Sequence, residues 1–177
     1  CRLPHSLKKR SHMNSFHKLF IGNQIDKDFV LKVDKFFLIL FYLHIPIMTF
    51  FIPAVKGLML TGLISSLFLT FIATISYAYF REKFYHRYLN GIILMSFSVS
   101  IISLSLGKIE HHFHIFVFLA VLVLYQDWKV LIPPTILIAF HHVSFAYCQV
   151  YNVESSLWPL KVFQYEISWN TVTLHIY

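Results

Sequence analysis

The sequence has few charged residues. Asp, Glu, Lys and Arg make up 13% of the 177 residues, which is about half of their share in a typical soluble domain. Hydrophobic residues make up 57% of the chain, and 19 residues are phenylalanine. This balance excludes an intrinsically disordered chain, which is rich in charge and poor in aromatic residues. It predicts an integral membrane protein.

Cysteine and glycine are also scarce. The two cysteines, Cys1 and Cys148, have no CxxC spacing, so neither a disulfide framework nor a zinc ribbon is expected. Five glycines exclude a collagen-like or glycine-rich repeat. The net charge is +7, but the basic residues lie in the N-terminal tail and between apolar runs, as membrane topology requires. We therefore expect a lipid bilayer as partner and no nucleic acid.

Five apolar runs approach the roughly 20 residues that a membrane-spanning helix needs. The fourth run is short unless the histidines before it belong to the helix, and the fifth contains Pro133 and Pro134. The small residues of "LTGLISS" in the second run predict a face for close helix packing. We predict an all-α, polytopic transmembrane bundle with five complete spans and the start of a sixth near Trp169. The five runs are 36–55, 58–80, 88–106, 112–125 and 130–151.

Lysine and arginine indicate the orientation. They are concentrated before the first run and in "REKFYHR" between the second and third runs, which predicts a cytoplasmic N-terminus. Residues 1–35 are expected to form a basic cytoplasmic tail, and residues 36–177 a transmembrane module truncated at its C-terminus. Residues 1–12 precede Met13 and are interpreted as upstream translation or a cloning remnant.

In "YQDWK" we expect a tight hairpin turn with Tyr125 and Trp128 in the aromatic belt, and we expect His86 in a cytoplasmic loop.

Histidines are unusually frequent in these runs. Seven of the eleven lie within the apolar runs or at their edges, all in the outer half of the bilayer under the predicted topology. On a helix Glu110 and His114 share a face, whereas His112 and His114 diverge by about 200°. His141 and His142 diverge by about 100°, so one of them is expected to face inward. The predicted inward set is His44, His114, one of His141 and His142, and His175, completed by Glu110 or His112.

Neutral imidazole binds zinc, copper and iron and is a common axial ligand of haem. Taken singly, a histidine can also anchor a helix end at the interface or pair with serine and carbonyl groups. Several at similar depth predict a functional site, because ionisable groups are uncommon within membrane spans. The expected ligand is a transition metal (copper, zinc or iron), a haem or a proton. The cofactor-binding candidates are His44, His114, His141 and His175, and the metal-ligand candidates are Glu110, His112, His114, His141, His142 and His175.

Residues spaced through 36–177 resemble a known membrane module. An acidic residue before H-F-H, a Y-x-D-W turn, a histidine pair in the next helix, and a Trp and His at the start of the last helix recur in the N-terminal membrane module of bacterial methyl-accepting chemotaxis proteins. A similar module occurs in some histidine kinases and diguanylate cyclases. His111 is outside the usual pattern. The matching positions are His44, Glu110, His112, Phe113, His114, Tyr125, Asp127, Trp128, His141, His142, Trp169 and His175.

The resemblance implies a sensory input unit of the bacterial inner membrane rather than an enzyme. It also implies self-association into a homo-oligomer and a cytoplasmic signalling domain or kinase pathway downstream in the full-length protein. Two other functions stay open. A haem-carrying electron-transfer protein could use His44 with His141, and a membrane di-iron oxygenase would need histidine boxes such as HxxHH, which the sequence lacks.

Overall fold

The structure is a computed structural model that describes residues 27–53, 56–153, 155 and 158–163. Its described elements are all helical, which confirms the predicted all-α class. A π-helical turn, Ile47–Phe51, follows α1, and short 3-10 turns cover Lys56–Leu58, Val123–Tyr125 and Trp128–Leu131. The five α-helices are α1 (Lys27–Pro46), α2 (Met59–Phe80), α3 (His86–Leu104), α4 (Ile109–Leu122) and α5 (Ile132–Val150).

Three helices are long and apolar enough to cross a membrane. They are α2, α3 and α5 with the turn before it, Trp128–Val150, while Ile109–Tyr125 is apolar but shorter. These lengths support a membrane protein, and the finer prediction of five complete spans stays a prediction. The start of the sixth run at Trp169 lies outside the described residues.

The third helix, α3, is the centre of the bundle. It packs against α1, α2, α4 and α5, and 67% of it is buried, against 28% for each of the other two long apolar helices. Those two turn large side chains outward, including Phe68, Phe71 and Phe140, which are 61%, 63% and 70% exposed. Apolar side chains on the outside suit contact with lipid tails.

The first helix begins earlier than its apolar run. α1 starts at Lys27, well before the predicted run 36–55, and it buries Val33 and Asp34. The α-helical part ends at Pro46, and the π-helical turn Ile47–Phe51 follows it. Proline has no N–H to donate to the preceding turn, so the α-helical hydrogen-bond pattern is interrupted there. The charged stretch before position 36 is therefore partly a packed helical face.

Prolines also decide where α5 begins. Pro133 and Pro134 occupy its first turn, where a missing N–H costs no intrahelical hydrogen bond.

The fourth helix includes the histidine stretch, since α4 begins at Ile109. The hairpin turn between α4 and α5 is sharp, and Gln126 in this turn takes the left-handed conformation with φ 53°.

The small face predicted for the second helix is confirmed. The buried residues of α2 are Gly62, Ser66, Thr70, Ala73 and Ser76, spaced three or four residues apart along one side. At Gly62 a Cβ atom would overlap the backbone carbonyl of Met48. The absence of a side chain there lets α2 lie directly against the π-helical turn.

Candidate functional site

Two of the predicted histidines meet inside the bundle. His44 of α1 is 2% exposed, and its Nε2 lies 3.2 Å from Nε2 of His114 on α4. Phe97 packs against the His44 ring, with ring centroids 4.6 Å apart, and Phe118 packs edge-on against His114 at 3.9 Å. The contact therefore joins the first and fourth helices within an aromatic shell.

Hydrogen bonds at the outer ring nitrogens constrain the protons of this pair. Nδ1 of His44 lies 2.7 Å from the Leu40 carbonyl oxygen, which only accepts, so Nδ1 carries a hydrogen. In a neutral ring Nε2 of His44 is then a lone-pair acceptor. Nδ1 of His114 lies 2.8 Å from Ser98 Oγ, which can donate to it, so His114 can hold its hydrogen on Nε2. One hydrogen then lies between the two rings, and a metal ion could replace it.

The distance between the two nitrogens suits a shared metal ion. Ligand nitrogens lie about 2.0–2.1 Å from zinc in tetrahedral sites, so two of them are about 3.3 Å apart, close to the 3.2 Å observed. The partners at Leu40 and Ser98 are the kind of outer hydrogen bonds that fix the tautomer and orientation of metal-binding histidines. The pair could hold a metal ion with little movement of either helix.

Three further histidines form a second cluster between α4 and α5. The ring centroids of His112 and His142 are 5.5 Å apart, and those of His141 and His142 are 5.3 Å apart. Nδ1 of His112 lies 3.1 Å from the Lys108 carbonyl, and Nδ1 of His142 lies 2.9 Å from that of Ile138. His141 is 4% exposed, and neither of its ring nitrogens has a hydrogen-bond partner within the part of the chain that the structure describes.

The predicted inward set thus divides at α4. His114 contacts α1 and α3, whereas His112 contacts α5, as expected from their divergence of about 200° around the helix. Glu110 is exposed in the first turn of α4, and the polar partners of His114 are Ser98 and His44. His175 lies outside the described residues. Across the described parts of the chain no group of three or more His, Cys, Asp or Glu side chains is arranged to hold a metal ion, and the metal and haem sites stay predictions.

The second cluster contacts the chain segment that leads towards the last apolar run. The ring of Phe163 stacks on His112, with centroids 6.5 Å apart and planes 11° apart. Gln149 of α5 holds the same segment: its Oε1 accepts from the amides of Val162 and Phe163 at 3.2 Å each, and its Nε2 donates to the Phe163 carbonyl at 2.7 Å. A displacement of the His112 ring would therefore change its packing against Phe163.

Removing the Gln149 amide should loosen this segment. In Gln149→Leu we expect amide hydrogen exchange in the peptide covering 158–163 to be faster by roughly a hundredfold, since three hydrogen bonds of about 1 kcal/mol each are lost. Gln149→Glu keeps the two acceptor contacts and should show an intermediate rate. Unchanged exchange in Gln149→Leu would mean that other contacts hold the segment.

A buried polar cluster that sequence reasoning missed lies near the start of α1. Asp34 is 1% exposed, and its Oδ1 accepts from Tyr125 at 2.6 Å and from Asn90 Nδ2 at 3.3 Å. Asn90 Nδ2 also lies 2.7 Å from Tyr125 Oη and 3.2 Å from His86 Nε2. Ser76 Oγ lies 3.0 Å from Nδ1 of His86. Four helical regions therefore contribute to one polar cluster around Asp34.

Two predictions are corrected by this cluster. Tyr125 is fully buried rather than in an aromatic belt, and His86 is 1% exposed at the start of α3 rather than in a loop. Both residues turn inward because they are partners of Asp34. A signal was present, since Asp34, Phe37, Phe41 and His44 recur at helical spacing on one face.

The environment of Asp34 changes its acidity. This residue precedes the apolar run 36–55, and burial raises the pKa of its carboxyl from 3.8 to about 6. The hydrogen bond from Tyr125, the positive charge of Arg87 and the hydrogen bond from Asn90 act in the opposite direction and lower the pKa. The group therefore gains or loses its proton near neutral pH.

Comparisons with protein-family models, curated proteins and solved structures gave no match to this chain. The resemblance to the chemotaxis membrane module consequently depends on the spaced residues alone and stays a prediction.

Proposed function

We propose that the chain is the membrane-embedded sensory input region of a bacterial signal-transduction receptor of the chemotaxis type, with histidines that bind a transition metal ion. The observation that carries the proposal is the buried contact between His44 and His114, with Nε2 atoms 3.2 Å apart. Ionisable groups buried between membrane helices are costly and generally functional. A sensor needs such a group at a helix contact, because the ligand must act on packing.

The geometry favours a metal ion over haem. Two axial histidines of a haem lie on opposite sides of the macrocycle, with their nitrogens about 4 Å apart. The 3.2 Å between His44 and His114 is closer to the separation of two ligands on one tetrahedral ion. Water would supply the remaining ligands. A bound proton is the simplest alternative, since one hydrogen between the two rings already satisfies both.

The fourth helix offers a route from the ligand to the output. α4 carries His114 towards α1 and His112 towards Phe163. A metal ion bound between His44 and His114 would hold α4 in one rotation against α1, and the contact of His112 with Phe163 would be held in the same arrangement. The ligand must bind one arrangement more tightly than the other, because equal affinity shifts nothing. The proposed protein continues into a cytoplasmic signalling domain, works as a homo-oligomer and has a cytoplasmic N-terminus in the inner membrane.

Metal-dependent thermal stability tests the ligand. With zinc at about 100 times its dissociation constant, binding should stabilise the native protein by about 2.7 kcal/mol, which raises Tm by roughly 5–10 °C for a chain of this size. We expect this rise for the detergent-purified protein and for His111→Gln, and its loss in His44→Gln and His114→Gln. His142→Gln tests whether the second cluster takes part.

Other outcomes point to the alternatives. A haem absorbance spectrum that changes on reduction would favour an electron-transfer protein. If the purified protein contains no metal and no haem, and all variants melt at the same temperature, the proposal that the histidines bind a metal ion is wrong. The proposal that the chain belongs to a receptor has a separate test. A reading frame that continues past codon 177 into a signalling coiled coil supports it, and an immediate stop codon contradicts it.

A further inference from the structure

The carboxyl group of Asp34 is only half satisfied by its surroundings. Oδ1 receives the Tyr125 hydroxyl at 2.6 Å, whereas Oδ2 is buried and has no hydrogen-bond partner among the described residues. An ionised carboxylate that is buried needs donors at both oxygens. A proton on this group removes the charge and with it most of that need.

His86 offers a second place for the same proton. Its Nε2 lies 3.2 Å from Asn90 Nδ2 and 3.8 Å from Asp34 Oδ1. Without a hydrogen, Nε2 accepts from Asn90, and Nδ1 can donate to Ser76 Oγ at 3.0 Å. With a hydrogen, Nε2 can no longer accept from Asn90, and the ring becomes a cation facing the Asp34 carboxylate.

We propose that Asp34 and His86 form a proton-binding site that holds one exchangeable proton between α1 and α3, with Asn90 and Tyr125 as its hydrogen-bonding lining. Proton uptake forms an O–H bond on Asp34 or an N–H bond on His86, and no other reactant is needed. The site lies ten residues, or about 15 Å along α1, from His44, and it does not depend on the proposed metal.

The charged residues that the structure describes around the site leave it without a fixed counter-ion. Arg87, next to His86 on α3, pairs with Asp127 at 3.3 Å, so its charge is shared with a second carboxylate. Lys32 and Lys35 of α1 are exposed, and α2 contributes the Ser76 hydroxyl and the Tyr77 ring, whose centroid is 6.2 Å from that of His86. The charge of Asp34 is therefore balanced mainly by its own proton or by one on His86.

The site would couple proton binding to helix packing. Asp34 is on α1, Ser76 on α2, His86 and Asn90 on α3, and Tyr125 follows α4. Moving the proton between Asp34 and His86 changes whether Asn90 donates to the imidazole or to the carboxylate. The contact between α1 and α3 thus differs between the two protonation states.

Infrared difference spectroscopy of the full chain in detergent or nanodiscs tests the site. The carbonyl stretch of a protonated carboxylic acid should be present at acid pH and disappear with a midpoint near 6, the value expected for Asp34. Asp34→Asn should remove this band, while Asp28→Asn, at an exposed aspartate on the same helix, should retain it. His86→Gln should strengthen the band at acid pH, because the proton then has no second place.

Tyr125→Phe keeps the ring that stacks on Phe37 at 5.2 Å and removes one donor to the carboxylate. The midpoint should rise by about one pH unit, since a hydrogen bond to the charged form favours ionisation. An identical band in Asp34→Asn and wild type would overturn the proposal, as would an unmoved midpoint in Tyr125→Phe. A midpoint that moves with sodium concentration would also overturn it and would indicate a cation site.

Discussion

Replacing Gly62 by alanine is expected to lower the free energy of unfolding by roughly 1–2 kcal/mol. Its new methyl group would overlap the Met48 carbonyl, a backbone atom that cannot rotate away. Inserting a methyl group into a packed contact typically costs about 1–3 kcal/mol, and here the π-helical turn Ile47–Phe51 must shift as a whole. Alanine's higher helix propensity offsets about 1 kcal/mol of that cost.

Gly57 provides a matched control, because a Cβ atom there would meet nothing within 4 Å. Unfolding in mixed micelles, followed by far-ultraviolet circular dichroism, should show Gly57→Ala close to wild type and Gly62→Ala clearly destabilised. Equal stability of the two variants would mean that α2 and the π-helical turn do not lie in direct contact.

The second large effect concerns pH. Because the pKa of Asp34 is raised from 3.8 to about 6, the folded protein binds this proton more tightly than the unfolded chain does. The resulting stabilisation is fully present below about pH 4 and is lost as the pH rises through about 6. A shift of about two units corresponds to roughly 3 kcal/mol. The wild type should therefore lose about this much stability relative to Asp34→Asn between pH 4 and pH 7.

The difference between wild type and Asp34→Asn is the informative quantity, because the other ionisable groups affect both proteins alike. Any constant cost of the substitution cancels when only the pH slope is compared. Parallel stability curves for the two proteins would show that Asp34 keeps the same protonation state throughout. Asp28→Asn should follow the wild-type curve.

Helical class and membrane character could be predicted from the sequence because they depend on local composition. The apolar runs and the small residues around Gly62 each fit one helix, and the structure has those helices. The start of α1 could not be predicted this way. Lys32, Asp34 and Lys35 look like a soluble flank. The partners that accommodate Asp34 are distant along the chain: Asn90, Tyr125 and His86.

The candidate site shows a similar limit. Helical geometry predicts that His112 and His114 point apart, and the structure places them in different clusters. It does not predict which partner each will meet, since that depends on how α1 and α5 are rotated against α4. The similar depth of the histidines in the bilayer suggested one set. The rotation of the helices instead gives two sets, the pair His44 and His114 and the cluster of His112, His141 and His142.

The burial of α3 has a practical consequence for following any motion in this protein. A helix covered on most sides is held by all its neighbours at once, so it can serve as the fixed reference for measuring the others. Spin labels or fluorophores placed as pairs, with one partner always near an end of α3, would report displacement of α1 or α4 directly. Pairs between two outer helices would mix two motions in one distance.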